Sequence, residues 1–125
     1  MNAAIAKAKE SLPQFLAALK NPKASQSNFA VKKPYETPNG GHEHMWITNV
    51  MEVDGMIEGI IADEAYDTKL VKQGQHVRIQ PSDISDWLYV EDGYLVGGYT
   101  IRYFVGKMSS AEKQAFEQQM GVKIK

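Results

Sequence analysis

No cysteine occurs anywhere in the chain, which removes disulfide staples, thiolate nucleophiles and thiolate metal ligands together. The fold must be held by its core. Neither sign of charge dominates, with 14 basic residues against 15 acidic ones and a net charge of −1, so there is no electrostatic footprint with which to neutralise nucleic-acid phosphates. No apolar run approaches the roughly 20 residues of a membrane span, and lysines interrupt "MNAAIAKAKESLPQFLAALK" too often for a signal peptide. The expected location is cytoplasmic, with no membrane contact. The phosphate-loop, G-x-S-x-G and paired Cys-x-x-Cys fingerprints are missing as well. No cofactor is expected.

What is present fits one domain spanning residues 1–125, since 125 residues with 43% hydrophobic content are enough for a single core. Ile5, Ala8, Leu12, Phe15, Leu16 and Leu19 recur at spacings of three and four, which predicts an amphipathic helix over 1–21. Pro13 predicts either a kink there or a restart capped by Ser11. An α+β core with a C-terminal helix is expected over 29–125. Lys23 to Asn28 reads as a polar linker, and "FAVKKPY" as a short strand whose Pro34 belongs at an edge or a strand end. Asp54-Gly55, between apolar runs, favours a type I′ hairpin because both turn positions take positive φ. Its register sets Val53 against Met56, Met51 against Glu58, Val50 against Gly59, Thr48 against Ile61 and Ile47 against Ala62.

"HVRIQ" alternates as a half-exposed edge strand does. Ser82 or Asp83 caps a single helical turn, and Asp92-Gly93 makes a second hairpin that places Trp87 opposite Gly98. "YTIRYFVGKM" has strand-favouring residues at helical spacing, and its position after Gly97-Gly98 tips the reading to helix. Ser109 and Glu112 form a capping box, Ala111, Ala115, Phe116 and Met120 make one face, and Gly121 suits the C′ position. The fold class is therefore α+β: an antiparallel sheet with two Asp-Gly hairpins, flanked by N- and C-terminal helices.

Chemistry concentrates in "GGHEHMWI", Gly40 to Ile47. On a strand His42, His44 and Trp46 share one side, and Glu43 shares the other with Met45 and Ile47. Two aligned histidines fall short of a zinc site, and His76 lies on another strand, so no metal is expected. Glu43, aimed at apolar side chains, needs a partner or an upward pKa shift. Lys32, Arg78 and Arg102 are its candidate cations, and the favoured role is structural and mostly buried: an ion pair, or a carboxylate bonded to backbone N–H groups that pins a loop. "GGYTIR" reads as a turn and cap, with an anion cradle of backbone N–H groups as the alternative.

The blocks "FAVKKPY", "HEHMWI", "GMIEGIIAD", "GQHVRI", "ISDWLYV" and "GGYTIR", in this order, resemble the small bacterial YegJ-like family, catalogued as a domain of unknown function. Lys32, Glu43, Trp46, Gly59, Gly74, Asp86, Trp87, Gly97, Gly98, Tyr99, Thr100 and Arg102 match its pattern. The resemblance covers roughly residues 29–116 and implies a fold without an activity. The functional expectation is a protein-binding module without catalytic residues, best read as an immunity protein that occludes a toxin's active site. Exposed Glu36, Glu64, Tyr66, Asp67, Glu91 and Tyr94 are the candidate contacts. The alternatives are a small enzyme using Glu43 as acid/base, with Arg102 and Thr100 holding an anionic substrate, and a regulatory module with another protein partner.

Overall fold

Residues 2–125 are described by a computed structural model. Helix α1 (Asn2–Lys20) leads into β1 (Gln26–Glu36), β2 (His42–Val53), β3 (Met56–Ile61) and β4 (His76–Ile79). After a single 3-10 turn come β5 (Asp86–Glu91), β6 (Tyr94–Gly97), α2 (Tyr99–Val105) and α3 (Ser110–Met120). The six strands form one antiparallel sheet in the order β4-β3-β2-β1-β5-β6. Both Asp-Gly hairpins form, with Asp54 and Asp92 each at φ 52°.

One sheet face carries the larger core, in which Val31, Tyr35, Met45, Ile47, Ile57, Ile61, Trp87 and Tyr89 pack under Ala8 and Phe15 of α1. Phe15 and Trp87 are fully buried, with ring centroids 5.6 Å apart. The smaller core joins Val90 and Leu95 to Val105 of α2 and to Val122 and Ile124 of the tail. That tail adds an unforeseen parallel bridge between Tyr94 and Lys123, covering the outer side of β6. The opposite edge is β4, as its alternation predicts.

Several expectations need correction. Helix α1 runs through Pro13 without a restart. Ser11 therefore caps nothing: its hydroxyl donates to the Lys7 carbonyl at 2.8 Å, and the neighbouring Ala8 carbonyl accepts the Trp87 indole N–H at 3.1 Å. Strand β1 begins at Gln26, inside the expected linker, and is central rather than an edge. Pro34 is accommodated because β5 pairing ends at Lys32↔Asp86, so the missing N–H faces no neighbouring strand on that side.

The first hairpin keeps the expected register only as far as Met51↔Glu58; beyond it Thr48 pairs Ile60 and Ile47 pairs Ile61. The cause is a β-bulge in which Asn49, at φ 53°, adds a residue opposite Gly59. In the second hairpin the Gly98 N–H donates to the Trp87 carbonyl, as its register predicts. The indole itself covers Gly97, where an added Cβ would come within 2.5 Å of the ring. The 3-10 turn over Pro81–Asp83 has Gln80 at its N-cap position, with no side-chain cap from Ser82 or Asp83. The capping box of α3 is present, yet the helix buries no residue: Phe116 touches the smaller core, while Ala111 and Ala115 stay exposed.

Candidate functional site

Asp86 opens β5 opposite Lys32 of β1, and Lys32 lies opposite Trp46 of β2, so three strands set these side chains in one row. Asp86 is fully buried. Its carboxylate accepts the backbone N–H groups of Trp87 at 2.8 Å, Tyr99 at 3.1 Å and Thr100 at 2.8 Å, and the Thr100 hydroxyl at 2.5 Å. The anion cradle foreseen at "GGYTIR" thus exists, but the chain's own Asp86 fills it. Gly98, at φ 64°, offers no side-chain cap to α2, and Asp86 does that work from another strand.

The relay continues outward. Lys32 Nζ donates to Thr100 Oγ1 at 3.0 Å and lies 5.2 Å from the centre of the Trp46 ring. Burial pulls the Lys32 pKa below its ordinary value, against the opposing pull of Asp86 and then Asp63. His44 Nδ1 pairs with the hydroxyl of buried Ser85 at 3.1 Å, and that hydroxyl also donates to the Lys32 carbonyl. The His44 pKa is lowered by burial first, then by Lys32 and His42. Among the described residues no three His, Cys, Asp or Glu side chains come together as metal ligands.

Glu43 has a different task. Its carboxylate accepts the backbone N–H groups of Tyr66 at 3.0 Å, Asp67 at 3.1 Å and Thr68 at 2.9 Å. It is partly exposed rather than mostly buried, and none of Lys32, Arg78 and Arg102 is its partner. The three N–H groups hold its pKa down, the reverse of what a general acid needs. Arg102 is occupied elsewhere, donating to the carbonyls of Gly97, Leu95 and Lys125. Glu43, Thr100 and Arg102 are therefore committed to three separate structural tasks, and the acid/base constellation proposed for them is not assembled.

Four of the six candidate contact residues gather at one end. Glu64, Tyr66 and Asp67 lie exposed on the loop that Glu43 holds, and the hydroxyl of Thr68 ties the same loop to the carbonyl of exposed Glu36 at 2.8 Å. Glu91 and Tyr94 sit at the other end of the sheet, roughly 33 Å away along the 11 residues of β1. Glu91 there accepts from Gln26 at 2.8 Å, and Tyr94 lies under Lys125. They do not extend the patch. Asp63 and Ser85 escaped the sequence reading, although Asp63 anchors the Trp46 N–H at 2.8 Å. Both look like ordinary loop residues until the strands pair.

A family model described as an uncharacterized protein conserved in bacteria (DUF2314) matches residues 1–124 and so takes in α1. Uncharacterized protein YegJ of Escherichia coli is 37% identical over 101 residues, 81% of this chain and 64% of that protein. A putative ankyrin repeat protein of Neisseria meningitidis is 36% identical over 81 residues, 64% of this chain and 32% of that protein. The chain thus spans less than two thirds of either relative's length. No solved structure matches.

Proposed function

The chain belongs to the DUF2314 family of bacterial proteins, and we propose that it is a cytoplasmic, non-enzymatic protein-binding module: an immunity protein that occludes the active site of a toxic effector. The observation that carries this reading is Tyr66, 75% exposed on a loop whose backbone is anchored through Glu43. An aromatic side chain held out by a preorganised loop loses little ordering entropy on binding. Exposed Glu36, Glu64 and Asp67 around it supply the charge that steers a domain toward a cleft basic for its own anionic substrate.

Co-expression with the product of the adjacent gene tests the proposal. Growth should be restored by the wild-type chain and lost with the Tyr66→Ala, Glu64→Lys double variant, whose fold is checked by its thermal melt. An adjacent product that is harmless alone, or that stays lethal beside the folded chain, overturns the immunity reading. A different captured protein whose binding depends on Tyr66 would point instead to the regulatory module.

A further inference from the structure

On the sheet face opposite α1, a groove of about 570 Å³ opens between the two bulged strands β1 and β2 and the α2–tail layer. Phe29, Val50, Leu88, Ile101 and Met120 line it, and Trp46 forms part of its wall. The volume is that of a small-molecule site, and the walls are mostly apolar, as such sites are.

The polar row of Asp86, Lys32 and Trp46 borders this groove. On β1 Lys32 lies one same-face step from the lining residue Ala30, on β5 Asp86 lies one step from Leu88, and Thr100 directly precedes Ile101. The half-buried Lys32 ammonium lies 5.2 Å from the ring centre of the lining residue Trp46 and donates to Thr100, the neighbour of lining Ile101, while lying outside the lining itself. An ammonium has three protons to donate; Lys32 gives one to Thr100 Oγ1, whose own proton goes to Asp86. Among the described residues Arg78 with Glu58 is the one pairing of a lysine or arginine with a carboxylate, so Lys32, like the other lysines, has no carboxylate in direct contact.

We propose that this groove binds a small apolar carboxylic acid, with its hydrocarbon body between Leu88, Ile101 and Val50 and its carboxylate on the Lys32 ammonium. A peptide fits less well. Its main-chain N–H and C=O groups would lie on a sheet face whose own backbone is already paired, over walls whose polar side-chain groups are those of Asn28, Thr48, Asn49 and the Trp46 indole. An alkyl or aryl acid brings a single charged group to the one cation that stands next to the groove's lining. The site is independent of the Tyr66 loop, so neither proposal depends on the other.

The test is titration of the full chain with octanoate, below its micelle concentration, and with 1-octanol, read by tryptophan fluorescence. Trp87 is fully buried in the other core, so a ligand-dependent change reports Trp46. Octanoate should saturate, and bind at least about tenfold more tightly than octanol, because a hydrogen bond to a charged group is at stake. Lys32→Met should abolish that preference while keeping octanol binding. Should Lys32→Met fail to fold, Thr48→Phe, which fills the groove from a half-exposed position on β2, should block both ligands. Equal affinity for octanoate and octanol, no saturable octanoate binding, or undiminished binding by Thr48→Phe overturns the proposal.

Discussion

Asp86 shows how a buried carboxylate can be held chiefly by dipoles, with the nearest cation reaching it only through Thr100. Asp86→Asn turns one acceptor oxygen into a donor facing donors, and should cost about 3 kcal/mol in urea unfolding. Thr100→Val, which removes one hydroxyl link, should cost about 1.5 kcal/mol. Equal losses would contradict this hierarchy. Glu43 governs a local pH response. Its folded pKa lies below the ordinary 4.5, so the grip on the loop is complete above that value and is lost as pH falls through the folded one. The Tyr66, Asp67 and Thr68 amide resonances should titrate together with a midpoint below 4.5, and Glu43→Gln should abolish that shared transition. His44, held below 6.5, likewise favours folding fully above 6.5 and less as acid is added.

At the scale of elements, the two bulges are a matched pair. Asn28 at φ 57° and Asn49 at φ 53° each add a residue to their strand, and both line the groove. Opposite the second bulge a Cβ on Gly59 would meet Ile47 Cγ2 at 2.6 Å and the Thr48 carbonyl at 2.8 Å. Gly59→Ala should therefore destabilise by about 2 kcal/mol. Asn49→Gly should be tolerated and Asn49→Val should cost about 1 to 2 kcal/mol, because a β-branched residue resists positive φ. Thermal melts rank the three. The hairpin turns are legible in the sequence because Asp-Gly itself selects their backbone conformation. The bulges are not, since an asparagine inside a strand reads equally well as an outward polar residue. Helix α2 is legible from spacing, but its cap is not, because Asp86 lies 14 positions before Thr100. Likewise Lys32, Asp86 and Thr100 each stand out as family-pattern positions, and only the pairing of β1 with β5 unites them.

For the whole molecule, the family match beginning at residue 1 is consistent with the way α1 is built into the core, where Phe15 and the Ala8 carbonyl hold Trp87. An immunity function sets a quantitative demand on the assembled surface. Leaving almost no free toxin takes nanomolar affinity, about −12 kcal/mol. Isothermal titration with the cognate effector should reach that value, and micromolar binding would count against the role.

The pairing of Lys32 with Asp86 also bears on how the chain reaches its native state. Neighbouring strands in β1 to β4 can zip progressively, and β5 with β6 closes through a two-residue turn. The seam between these units joins positions more than fifty residues apart, and such closure carries a large entropic toll before it gains any contact. Asp86, Thr100 and the Trp87 indole lie along that late seam. Their substitutions should steepen the decay of native protein while leaving the refolding limb of a chevron nearly unmoved. The seam would then act as a kinetic latch.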